Sequence, residues 1–223
     1  MTHFSDGVRV GDNFDPNGNA VDPGGPMSPV YVYNVVPIAL VTDGIALAQA
    51  VAAAGNLTLN GSLASGGTVT LDVPRNIIID ASDAGDTTQI ATVYGYDVYG
   101  VPMSEAIAFN GTTAVAGQKA FKRVTRVAVD ALMAGNAFVG TGDVLGLPYA
   151  VSTRNYVLTA WDGAFVTTGT FAAADATTAT TTTNDVRGTY TPPSATDAAR
   201  RLTAYIFLSN PDTKVGLYGV PQA

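Results

Sequence analysis

The residues able to do chemistry are few: one histidine, His3, and one glutamate, Glu105. A general base or a Ser-His-Asp arrangement would have to use His3, which lies in a glycine- and proline-rich terminus with no partner to orient it. The chain has no cysteine, which removes disulfides, thiolate nucleophiles and Cys-ligated zinc. Glycoside hydrolysis needs two carboxyl groups at a set separation, and nothing pairs Glu105 with an aspartate at a recognisable spacing. Asn13, Asp15, Asn17 and Gly18 match the opening of a calcium loop. Its twelfth position is Gly24 where a glutamate is required, and Pro16 sits inside it. These residues read as Asx turns. Asp80, Asp83 and Asp86 could clasp a calcium ion, but aspartates of a turn are the plainer reading. The sequence therefore predicts no catalytic residue, no cofactor and no metal ligand.

One basic cluster remains: Lys119, Lys122, Arg123 and Arg126. Strict strand alternation would put Lys122 and Arg126 on one face with Val124, and Phe121, Arg123 and Thr125 on the other. Two readings apply. The charges blunt a strand edge, or they dock an acidic partner surface. Tyr94, Tyr96, Tyr99 and Trp161 could line a sugar groove, although tyrosine in strands is commonly half-buried packing.

The elements that must hold these residues are strands. Leu57-Thr58-Leu59-Asn60-Gly61, Thr68 to Val73, Thr92 to Tyr96 and Ala108-Phe109-Asn110-Gly111 alternate or end in Asn-Gly, the pattern of strands and hairpin turns. Further strands are expected over Val30 to Val36, Asn76 to Asp80, Phe121 to Val129, Val139 to Tyr149, Asn155 to Ala160, Phe165 to Phe171 and Arg201 to Leu208. Pro74 should end or bend the strand before it. The threonine-rich run 177–183 suits an edge strand, because threonine is β-branched. Between Asp43 and Gly55 helix and extended readings stay open: the run is alanine-rich and capped, yet Ile45, Leu47 and Gln49 alternate. Residues 1 to about 30, rich in Gly, Pro, Asp and Asn, read as an extended N-terminal arm. The expected fold is one all-β, sandwich-type domain over 31–223, with two subdomains split near 150 as the alternative.

Composition bounds the function. Charged residues are only 13% of the 223 positions, which suggests a surface largely covered by neighbours. A net charge of −7 argues against a nucleic-acid partner. The apolar stretch Val35 to Leu40 is too short to span a membrane. The first residues carry no basic or apolar leader pattern, so synthesis in a cytoplasm is expected.

Several phrases resemble virion structural proteins of tailed bacteriophages. They are Leu57-Thr58-Leu59-Asn60-Gly61, Thr70-Leu71-Asp72-Val73-Pro74-Arg75-Asn76, Tyr94-Gly95-Tyr96-Asp97-Val98-Tyr99-Gly100, Phe121-Lys122-Arg123-Val124, Val139 to Tyr149, and Asp185-Val186-Arg187-Gly188-Thr189-Tyr190 before Pro192 and Pro193. The resemblance covers roughly residues 45 to 220 and holds no catalytic signature. It implies a capsid decoration, or cement, protein on the capsid exterior, made in the host cytoplasm. Such a protein forms trimers and bridges subunits of the major capsid protein. A tail tube, fibre or baseplate component is the nearest rival, and a virion-borne glycan-binding or glycan-cleaving protein the remote one.

Overall fold

The computed structural model describes residues 30–175 and 177–207. The expected arm, 1–30, lies outside them except for Val30.

Fifteen strands follow one another along the described residues. The first five are β1 (Val30–Val35), β2 (Ala46–Ala50), β3 (Gly55–Asn56), β4 (Ala64–Ser65) and β5 (Thr68–Ala81). Then come β6 (Ile90–Tyr96), β7 (Pro102–Ala108), β8 (Val115–Ala116), β9 (Phe121–Val129) and β10 (Asn136–Gly146). The last are β11 (Val157–Trp161), β12 (Ala164–Phe165), β13 (Thr170–Ala172), β14 (Thr189–Thr191) and β15 (Leu202–Phe207). A 3-10 turn, Arg154–Tyr156, precedes β11. The described chain is all-β and sandwich-type, with every strand pair antiparallel. No helix among the described residues is long and apolar enough to cross a membrane.

A four-stranded sheet runs β1-β15-β11-β12. The larger sheet runs β13-β14-β10-β5-β9-β6-β7, with β2 beside β10, β3 beside β9, and β4 and β8 beside β5. Its curled inner side buries Val69, Ile77, Ile79, Val93, Phe121 and Val139 among others. A second apolar cluster joins the two sheets. Leu202, Ala204 and Ile206 of β15 meet Val73 of β5, Leu145 of β10 and Tyr190 of β14.

The segment Asp43 to Gly55 is not helical, and Ala46–Ala50 within it is a strand between bends. A turn at Thr42-Asp43 leads into β2, which pairs with β10 through Ala50↔Asn136 and Ala46↔Val139. Gln49 settles the competition, for its side chain donates to the Thr58 carbonyl at 3.0 Å and accepts from the Thr58 amide at 2.8 Å. Such tertiary bonds outweigh the weak helix preference of alanine. Asn60-Gly61 closes no hairpin of its own. Asn60 accepts from Leu47 N, and a Cβ on Gly61 would lie 2.2 Å from the Gly44 carbonyl carbon, so only glycine fits. Pro74 bends its strand without ending it. Opposite β9, the register passes from Thr70↔Arg123 to Arg75↔Phe121, so Leu71 to Pro74 bulge out of the ladder. The run 177–183 forms no strand in its described residues. Its hydroxyls bond locally instead, Thr183 Oγ1 accepting from Thr180 N at 3.0 Å and donating to Thr180 O at 3.1 Å. It still guards an edge: Thr181 O accepts from Ala106 N of β7 at 2.8 Å.

Candidate docking surface

The four cationic residues expected to act together do three different things. Lys119 is fully buried. Its ammonium donates to Ser104 O at 3.0 Å and to Thr180 O at 2.7 Å, tying the threonine-rich segment to β7. A docking role for Lys119 is therefore overturned, because no partner can reach it. Lys122 is half-buried and donates to Leu71 O at 2.7 Å and Asp72 O at 2.8 Å. Those carbonyls belong to the bulge of β5, where the ladder cannot satisfy them. Lys122 is a brace for that bulge.

Arg123 and Arg126 are exposed, and they share a face. The expectation that Lys122 partners Arg126 fails for a specific reason. Opposite β6, Gly95 pairs with Val124 and Tyr94 pairs with Arg126, so Thr125 is an extra residue in β9. Gly95 permits this close approach, since a Cβ there would stand 1.9 Å from Arg123 O. With Thr125 bulged, Arg126 falls opposite Tyr94 and Arg123 opposite Tyr96. Each guanidinium then covers a tyrosine ring, at 3.6 Å for Arg126 over Tyr94 and 5.9 Å for Arg123 over Tyr96. Exposed contacts of this kind are worth about 0.5–1 kcal/mol each. Their larger effect is on order, because stacked arginines lose less freedom when they bind. Neither forms an ion pair or a hydrogen bond among the described residues, so both keep their forked donors for an incoming carboxylate.

The aromatic residues do not form an open platform for a sugar ring. Tyr94 and Tyr96 carry the two arginines. Trp161 is buried and donates its indole N–H to Ser194 Oγ at 2.9 Å. Tyr99 lies under Arg187 at 4.8 Å and donates to Pro148 O at 2.7 Å. The aspartates of the 80–86 turn are spent on backbone amides. Asp86 is buried and accepts from Ala134 N and Gly135 N, both at 2.8 Å, while Asp83 accepts from Gly85 N and Asp80 from Ala81 N.

Behind β7 lies a buried ionic group that alternation alone does not reveal. The Glu105 carboxylate accepts from the amides of Gln118 and Lys119. Burial pushes its pKa up to about 7, against the pull of those amides and of Lys119. Asp185, also raised by burial, accepts from Ala120 N at 3.0 Å and Arg187 N at 2.8 Å. Arg187 in turn forms a buried ion pair with Asp97. A cavity of about 240 Å³ adjoins this group, lined by Gln118, Val144, Asn184, Asp185, Thr189 and their neighbours. A raised carboxyl beside a cavity is a common mark of an active site. Here the acids are occupied by main-chain amides, and the arrangement clamps the loop Gln118 to Ala120 between β7 and the segment before β14.

The fold and surface define an all-β sandwich-type protein carrying a stacked arginine–tyrosine face. No protein-family model, curated protein or solved structure matches the chain.

Proposed function

We propose that this chain is a structural component of a tailed-bacteriophage virion, set on the capsid exterior, where it bridges subunits of the major capsid protein and stabilises the shell. The observation that carries the reading is the pair Arg123 and Arg126, held outward on Tyr96 and Tyr94 with no acid of their own. In a chain of net charge −7 such a pair marks where an acidic surface can approach. The low charge content and the bacteriophage-like phrases support the same reading. The role is mechanical. Many contacts of about 1 kcal/mol each, repeated around a closed shell, shift assembly toward the decorated state.

Particles lacking the protein should assemble and then release DNA at a lower temperature than complete ones. Adding the purified protein back should restore the difference. Equal heat resistance with and without it would remove the cement role and favour a tail or host-contact component.

A further inference from the structure

The two long sheet edges are treated differently. At β7, Thr181 O takes the Ala106 amide and Lys119 secures the covering segment. At the other sheet, β1 lies outermost, paired only with β15 among the described residues. Its far side presents the main-chain donors and acceptors of every second residue of Val30–Val35, with no partner among those residues. Natural edges are usually blunted by charge, proline, a bulge or a short span. The strand itself has none of these: it is six residues long, VYVYNV, in unbroken register from Val30↔Phe207 to Val35↔Leu202, and the charge that reaches it is Arg201, whose guanidinium donates to Asn34 Oδ1 at 2.8 Å. Nor is it loose, since Tyr31 packs edge-on against Tyr149 at 4.8 Å and Tyr33 is partly buried against the second core.

The outward face continues the theme. Val32, Tyr205 and Leu158 form one cross-strand row, and Asn34, Thr203, Ala160 and Phe165 form the next. Val32 is 50% exposed, Leu158 42% and Phe165 66%. No carboxylate lies in either row.

We propose that β1 pairs antiparallel with β1 of a second copy about a two-fold axis, joining two four-stranded sheets into one. The occupant follows from charge and symmetry. Two chains of net charge −7 repel over most of their surfaces, so copies meet best along a strand with no acid of its own, and β1 is such a strand, Asp72 lying on its inner side toward Tyr33. An uncharged strand set antiparallel against itself is self-complementary, as an isologous contact requires. Main-chain hydrogen bonds supply the affinity, and Val32 loses water against the neighbouring copy. This pairing does not rest on the capsid reading and is tested apart from any particle.

The test uses the full chain in solution. Sedimentation should give twice the monomer mass. Val32→Lys, placing the usual edge-blunting charge at a half-exposed position, should return the mass to that of one chain with circular dichroism unchanged. Because the chain has no cysteine, single-cysteine variants at Tyr31, Val32, Tyr33 and Asn34 report the register directly. Under mild oxidation, disulfide-linked dimer should peak sharply at the position on the axis, since identical residues there have Cβ atoms about 5 Å apart and drift out of reach on either side. A monomer, as expected if residues 1–29 of the same chain take the edge, would overturn the proposal. So would a three-fold mass, or crosslinking with no positional peak.

Discussion

Arg126 stacks on Tyr94 because Thr125 is one residue too many for the ladder between β6 and β9. A regular strand would have turned Arg126 away from Arg123. The bulge instead gathers both arginines above two tyrosines.

Replacing Arg123 and Arg126 together with alanine should weaken attachment to an acidic partner surface, chiefly by slowing association. It should also flatten the dependence on salt. Stability should change by less than about 2 kcal/mol, the sum of two exposed cation–π contacts. Binding kinetics over a salt series, with a urea melt beside them, separate the two effects. Unchanged association at every ionic strength would leave the pair as edge protection only.

Lys122→Met should behave in the opposite way. Association should be unaffected, while stability falls by about 1 kcal/mol, since two carbonyls of the β5 bulge lose their donor but water can reach one of them. A denaturant midpoint is the measurement. A binding defect without a stability defect would return Lys122 to the docking surface.

Glu105 should make the protein less stable as pH rises from 4.5 to about 7. Across that interval the folded chain keeps a proton that the unfolded chain has released, so unfolding gains relative to folding. The contribution of Asp185, also raised, has the same sign above its ordinary range. Lys119 is pushed down by burial, and a lowered cation adds stability as pH rises, so the contrast with Glu105→Gln isolates the glutamate. The variant should flatten the slope by up to about 3 kcal/mol over the interval. Identical slopes in the two proteins would show that the carboxyl is not buried in solution.

Gly95→Ala should cost at least about 1–3 kcal/mol, because its methyl would collide with the Arg123 carbonyl and force β6 from β9. Thermal melting checks this. A loss below about 0.5 kcal/mol would contradict the register at the bulge.

Much of the strand layout is readable from alternation and turn residues. Phe121 to Val129 is a strand, as its residues suggest. What alternation misstates is the facing of its side chains. Buried Phe121, Val124 and Val127 recur every third residue, a beat that two bulges impose and that resembles neither strand nor helix. The burial of Lys119 is not legible in the sequence because its partners are remote, Glu105 lying 14 positions away and Thr180 61. The stretch Asp43 to Gly55 stayed ambiguous for the same reason: the bonds of Gln49 to Thr58 that make it extended are tertiary.

The short strand β12 limits what the small sheet can become. It is two residues long and closes the end opposite β1. A sheet with two good edges is a monomer in the polymer sense, able to add units without end. Among its described strands this one has a single long open edge, so the pairing proposed above would consume both ends and leave stubs. Growth would then stop at the first step, and the molecule would keep an uncharged, strongly β-forming edge without becoming the seed of a fibre.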